Sequence, residues 1–126
     1  MVKQPLAYLL AIVLFTSFLA ACSSGPEITS LTEQEALGQR LFGQNCAACH
    51  AQSGEGVIVG PSLAGIAERA ESRVTGEDAH DYIVESIVDP EAYLNEGFDN
   101  LMPATFGDTL NEEQIEALVA YLYLLK

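Results

Sequence analysis

The sequence contains no tryptophan and few basic residues, and the shortage of positive charge narrows its possible partners. Five lysines and arginines stand against 18 aspartates and glutamates, which gives a formal net charge of −13 at pH 7. An acidic surface is repelled by phosphate backbones, so nucleic acid is excluded as a partner. The same charge favours docking onto basic protein surfaces.

The sequence also lacks segments in which apolar and polar residues alternate, and their absence argues against a sheet-based fold. Helix signals are present instead: capping boxes at Thr32–Glu35 and Asn111–Gln114, and a stop at Asp89-Pro90. A short helix is predicted within 61–71, whereas 91–107 is expected to be mostly irregular. The fold class is therefore all-α, with long loops and three main helices predicted at Thr32–Asn45, Glu77–Val88 and Asn111–Leu125.

The N-terminal segment has the features of an export signal. A cationic start is followed by an apolar run from Leu6 to Leu19 and by Leu19-Ala20-Ala21-Cys22, which resembles the lipobox of bacterial lipoproteins. We expect residues 1–21 to be a signal peptide, Cys22 to be lipidated and residues 22–31 to form a short membrane tether. An uncleaved anchor is the alternative, but the run is short against the roughly 20 residues that a spanning helix needs.

The two remaining cysteines form the motif Cys46-Ala47-Ala48-Cys49-His50, which fits the Cys-x-x-Cys-His attachment pattern of c-type haem. Two thiols three residues apart can bond to the two vinyl groups of one porphyrin, and the adjacent histidine can then ligate its iron. A thioredoxin-like dithiol would require a βαβ context. A zinc site would require further soft ligands that the chain does not offer. One covalent haem c is therefore the predicted cofactor.

The iron needs a second axial ligand, for which the mature chain offers Met102 and His80. Met102 lies in a segment predicted to be irregular, and a loop can place a side chain over the far face of an anchored haem. His80 lies on a helix in acidic surroundings and is expected to be a surface residue. The metal ligands predicted from the sequence are thus His50 and Met102. Ordinary core packing is the alternative role for Met102.

From about Thr32 to its end the sequence resembles the class I cytochrome c family. Gly38 and Phe42 precede Cys46 by eight and four residues, where that family packs its first helix on its last, and Leu118 and Tyr121 match the partner positions. The resemblance implies a cytochrome c domain at 32–126, wrapped around its haem. The segment Gly60-Pro61-x-Leu63-x-Gly65 with Arg69 is also similar. It implies that the Pro61 carbonyl bonds the His50 ring, Leu63 contacts the porphyrin and Arg69 meets a haem propionate.

The segment from Glu85 to Gly107 looks closest to the cytochrome c domains of membrane-bound respiratory complexes. These include domains attached to haem–copper oxidases and the single-haem subunit of alternative complex III. The resemblance implies a one-electron carrier rather than an enzyme. Its partners would be proteins of a respiratory or photosynthetic complex. Together with the export signal, this predicts a protein anchored at the outer face of a bacterial membrane. The chain lacks the lysine ring of mobile mitochondrial-type carriers. A peroxidase or gas-binding protein with an open iron is the alternative, as is a small redox sensor.

Overall fold

A computed structural model describes residues 30–126 of the chain. The predicted signal peptide, the lipidation site at Cys22 and most of the predicted tether lie outside these residues. Within the described part, no helix has the length and apolar character needed to cross a membrane.

The described residues form helices joined by loops, and no strand occurs among them, so the predicted all-α class is confirmed. The two longest loops run from the end of α1 to α2 and from α3 to α4. The helices in chain order are α1 (Glu33–Asn45), α2 (Ile66–Ala70), α3 (Ala79–Val88), α4 (Phe106–Thr109) and α5 (Glu112–Leu122).

Both predicted capping boxes are present. The Thr32 hydroxyl accepts a hydrogen bond from the Glu35 amide, and the Glu35 carboxylate accepts one from the Thr32 amide. Asn111 and Gln114 exchange the same pair of bonds at the start of α5. Each box satisfies amides that the first helical turn leaves without partners.

Two helix boundaries and one short helix differ from the prediction. α3 begins at Ala79, because the Asp78 side chain caps it by accepting from the Asp81 amide. α5 ends at Leu122 although the apolar spacing continues to Leu125, because the last residues bond to carbonyls three positions back and leave the α-helical pattern. The short helix α4 was not predicted.

The centre of the fold is the crossing of α1 over α5. A Cβ atom built on Gly38 would lie 1.9 Å from the carbonyl oxygen of Ala117 and 2.7 Å from Cβ of Tyr121, so only glycine permits this approach. The rings of Phe42 and Tyr121 pack beside it with centroids 5.6 Å apart. Phe42 and Leu118 are each only 1% exposed. This crossing fixes the end of α1, and with it the position of Cys46.

α3 and α2 complete the core on one side of this crossing. Ala79, Tyr82, Ile83 and Ile87 form the buried face of α3. α4 approaches the end of α3 closely, since a Cβ on Gly107 would lie 3.0 Å from the carbonyl oxygen of Val88. The two long loops, together with α2 and α3, surround a cavity.

Candidate functional site

A largely apolar cavity of about 650 Å³ lies between the end of α1, α2, α3 and the two long loops. A volume of this size is in the range, roughly 300–1,000 Å³, that holds cofactor-sized molecules. The residues singled out from the sequence meet here, since the cavity is lined by Cys46, Cys49, His50, Pro61, Leu63, Arg69 and Met102 among others.

Cys46 and Cys49 stand where α1 ends. The Cys46 amide donates to the carbonyl oxygen of Phe42 at 2.8 Å, which closes the helix, and the His50 amide donates to the Cys46 carbonyl at 2.9 Å, which continues the turn. Both thiols are free and half-buried. Burial raises the pKa of the Cys46 thiol to about 11, and the neighbouring Cys49 adds to the rise. Cys46 therefore faces the cavity as an uncharged thiol.

The His50 ring is held in one orientation. Its Nδ1 lies 2.8 Å from the carbonyl oxygen of Pro61. Because a carbonyl oxygen can only accept, Nδ1 carries the proton and Nε2 keeps a free lone pair. A Cβ atom on Gly60 would lie 2.5 Å from Cε1 of the ring, so the ring packs directly on the Gly60 backbone. This arrangement presents Nε2 as a metal ligand.

The loop after His50 is tied back to the cysteine motif. The Cys49 carbonyl oxygen accepts from the amides of Val59 and Gly60 at 3.2 and 2.9 Å, and the Ala51 carbonyl accepts from the Leu63 amide at 2.9 Å. These bonds fold a glycine-rich loop into a wall of the cavity and place the half-buried Leu63 side chain on it.

Arg69 projects from α2 toward the same wall. Its guanidinium donates to the carbonyl oxygen of Ala64, and through Nη2 to that of Ser62 at 2.8 Å. These two bonds therefore hold the 62–64 segment to α2. Neither bond is predictable from the sequence.

Met102 lies on the opposite loop, between α3 and α4, and its half-buried side chain lines the cavity. Hydrogen bonds across this loop hold its shape: the Asn95 amide group donates to the Tyr82 hydroxyl at 3.3 Å, and that of Asn100 donates to Glu91 at 2.9 Å. Met102 and His50 thus reach one cavity from two separately anchored loops.

Sequence reasoning gave no role to several residues of the cavity wall. Tyr82 and Tyr93 pack edge to face with centroids 5.6 Å apart, and both line the cavity. Arg73 and Lys126 also line it. Helical spacing with Ala79 and Ile83 is the signal that could have found Tyr82, whereas no sequence signal joins Arg73 to Lys126, which are far apart in the chain.

His80 does not line the cavity. Its Nε2 lies 3.0 Å from a Glu116 carboxylate oxygen, and its Nδ1 lies 3.2 Å from Asp81. The hydrogen bond with Glu116, and then that with Asp81, raise the pKa of His80 above its usual value. His80 therefore links α3 to α5 on the outside of the domain.

The cavity fits a covalently attached haem. It offers two free thiols at the spacing that the attachment needs, an oriented imidazole with a free nitrogen, and a thioether on the facing loop. The contact of Gly60 with the His50 ring leaves no room for any side chain at that position.

Comparison with known proteins agrees with this geometry. The family described as Cytochrome c matches residues 35–126. The chain is also similar to cytochrome c oxidase subunit 2 of Alkalihalophilus pseudofirmus, with 38% identity over 90 residues. The match covers 71% of this chain and 25% of that relative, so the chain spans about a quarter of the relative's length.

Proposed function

Because the chain belongs to the cytochrome c family, which binds haem c covalently, we propose that it carries single electrons at an iron ligated by His50 and Met102. The observation that carries the proposal is the oriented His50 ring, whose Nδ1 bonds to Pro61 and whose Nε2 is left free within a cavity that Met102 also lines.

Each residue of the site has a proposed part. Cys46 and Cys49 attach the haem through thioether bonds, which prevents its loss outside the cell. His50 and Met102 would ligate its iron, Pro61 orients His50, and Leu63 would pack against the porphyrin. When bound, the haem supplies an iron that exchanges one electron between its ferric and ferrous states.

Two filled axial positions make a carrier rather than a catalyst, since no small molecule can then bind the iron without displacing a ligand. The residues around the cavity add no catalytic pair. Glu55 and Asp99 line it, but neither is hydrogen-bonded to a nucleophilic side chain within the described residues. The protein's contribution is to hold the ligands and to exclude water.

The test is a reduction-potential measurement on the Met102→Ala protein, with Leu101→Ala as its matched control. Leu101 is adjacent, lines the same cavity and is 65% exposed, but offers no ligand atom. Met102→Ala is expected to lower the potential, because a weakly donating thioether favours ferrous iron. An unchanged potential and an unchanged spectrum would exclude Met102 as a ligand.

The proposed partner is a membrane-bound respiratory complex, either a terminal oxidase or a quinol-oxidising complex of the alternative complex III kind; a photosynthetic complex is the further candidate. The similarity to an oxidase subunit supports the first of these. A rim of exposed apolar residues at the cavity mouth, Val57, Leu94 and Leu101, is suited to contact with such a partner. Identifying the proteins that co-purify with the chain from detergent-solubilised membranes would distinguish the complexes.

We propose further that the chain is exported and held at the outer face of the membrane by a lipid on Cys22. The Leu-Ala-Ala-Cys sequence supports this. Mass spectrometry of the native protein is expected to find a lipidated Cys22 at the N-terminus. An unmodified chain that begins at Met1 would contradict the anchor.

A further inference from the structure

Positive charge is concentrated at the cavity. The described residues include four lysines and arginines, and three of them, Arg69, Arg73 and Lys126, line the cavity wall. Only Arg40 lies elsewhere, on the exposed side of α1. Because the domain is strongly acidic overall, the grouping of these three basic residues at one cavity is specific to this site.

The cations at the cavity have no carboxylate partners in the described part of the chain. The only ion pairs within 4.0 Å there involve His80, with Asp81 and Glu116. Arg69, Arg73 and Lys126 therefore line the cavity without an ion pair to a carboxylate of the described residues. Their arrangement fits an anionic group that enters the cavity.

The three cations have different tasks. Arg69 directs its guanidinium to the carbonyl oxygens of Ala64 and Ser62. Arg73 and Lys126 make no side-chain hydrogen bond within the described residues, and both are exposed at the cavity edge. Arg69 is a structural support, whereas the other two are available to a ligand.

The backbone brings Lys126 to α2. The Gly65 amide donates to the carbonyl oxygen of Leu125 at 3.0 Å, so the residues after α5 lie against the start of α2. Arg73 lies just beyond the end of α2, where its amide bonds to the Ala70 carbonyl at 3.1 Å. Lys126 and Arg73 thus both lie next to α2, the first near its start and the second just beyond its end.

We propose that Arg73 and Lys126 are the ionic partners of the two haem propionates, while Arg69 supports the loop that carries Pro61. This inference rests on the proposed haem site. It changes the role that the family resemblance implies for Arg69. Its chemical basis is charge-assisted hydrogen bonding between a carboxylate and an unpaired cation.

The charge near the haem affects its reduction potential, which can be measured. A cation beside a propionate favours the ferrous state and keeps the propionate ionised at neutral pH. Without that cation, the reduction potential falls, and the pKa of the propionate rises toward neutrality. The potential then decreases as pH rises, because each newly ionised carboxylate favours ferric iron. The charged groups lining the cavity are Glu55, Arg69, Arg73, Asp99 and Lys126, and Tyr82 and Tyr93 are the titratable side chains that the haem itself would not engage.

The experiment measures the reduction potential of the haem-loaded protein from pH 5 to 8 for Arg73→Gln and Lys126→Gln, with Arg40→Gln as the control. Arg40→Gln changes the net charge equally but away from the cavity. We expect each cavity variant to have a lower potential than the control and a new decrease of potential with pH. Arg73→Lys keeps the positive charge and should therefore have the wild-type dependence of potential on pH. The thermal unfolding of the variants should differ little from that of the wild type.

The reverse results would overturn the inference. If Arg73→Gln and Lys126→Gln follow Arg40→Gln at every pH, neither residue meets a propionate. If only Arg69→Gln produces the pH-dependent potential, the propionate partner is Arg69. These outcomes are independent of the axial ligand, because Met102→Ala is tested by its own spectrum. If the Arg73 and Lys126 variants do not change the potential as expected, the proposed function is unaffected. If Met102→Ala shows that Met102 is not a ligand, the assignment of the propionate partners is unaffected.

Discussion

Gly60 shows how a single residue controls the orientation of His50, the proposed iron ligand. Replacing it with alanine puts a methyl group 2.5 Å from Cε1 of His50, where only the ring itself can move away. We expect Gly60→Ala to break the bond from Nδ1 to Pro61 and to destabilise the haem-loaded protein by about 1–3 kcal/mol, as overpacking does. Thermal unfolding and the haem absorbance spectrum would measure both effects.

Gly56→Ala is the matched control in the same loop. A Cβ on Gly56 would meet nothing within 4 Å, and its backbone φ is not positive. Its stability and spectrum should remain those of the wild type. If Gly60→Ala behaves in the same way, the His50 ring does not depend on its contact with residue 60.

Among individual residues, the roles that depend on local spacing were predictable from the sequence. The roles that depend on contacts between distant parts of the chain were not. Cys46, Cys49 and His50 are recognisable because their chemistry requires adjacent positions. The Ser62 and Ala64 bonds of Arg69 were not predictable, since a cation in a sequence does not reveal whether it binds a carbonyl or a propionate. The hydrogen bond from Gly65 to the Leu125 carbonyl, which brings Lys126 close to α2, depends on the folded backbone.

The crossing of α1 and α5 is the feature of the helices that most affects stability. Gly38→Ala would place a methyl group 1.9 Å from a backbone oxygen of Ala117, which cannot rotate away as a side chain can. We expect a loss of about 3 kcal/mol or more in the free energy of unfolding, at the upper end of overpacking effects. Denaturant titration of the haem-loaded protein measures it.

Gly43→Ala provides the comparison within the same helix. Its Cβ would meet nothing within 4 Å, and alanine favours a helix over glycine by about 0.5–1 kcal/mol. The variant should be slightly more stable than the wild type. Equal destabilisation by the two substitutions would mean that Gly38 owes its importance to helix propensity and not to the crossing.

The contact of His80 with Glu116 joins α3 to α5 and should make stability depend on pH. Because the hydrogen bonds with Glu116 and then with Asp81 raise the pKa of His80, its charged form stabilises the fold below about pH 6.5. The contribution is lost as pH rises through the folded-state pKa. His80 is 42% exposed, so about 1 kcal/mol is an upper limit.

Glu116→Gln is therefore expected to destabilise the protein at pH 6 by up to about 1 kcal/mol and to have a much smaller effect at pH 9. Glu113→Gln is the control, since it removes the same charge from the same helix without a contact to His80. Unfolding free energies at the two pH values make the comparison. A Glu116→Gln effect that grows with pH would contradict the charged pair.

Helix bounds were predictable where the signal is local, as at the caps Thr32 and Asn111 and at the stop after Val88. The end of α5 and the short helix α4 were not. α5 stops at Leu122 while Leu125 still fits the apolar period, and the Leu125 carbonyl instead accepts the Gly65 amide. α4 contains a glycine that weakens helix propensity, but the same glycine allows its close approach to Val88.

At the scale of the whole molecule, the domain separates its charges. Acidic groups cover the surface, and three of the four described cations lie at the cavity. Two loops with little regular structure form most of the cavity wall, so a haem held there would complete the fold's core. The composition predicted the acidity, but only the folded chain shows where the remaining positive charge lies.

The central claim is that His50 and Met102 hold the iron from both sides, so that it transfers electrons without binding small molecules. Addition of carbon monoxide to the reduced, haem-loaded protein tests this most directly, with Met102→Ala measured beside it. The account predicts that the wild-type spectrum does not change while the variant binds carbon monoxide. Rapid binding by the wild type would contradict the claim.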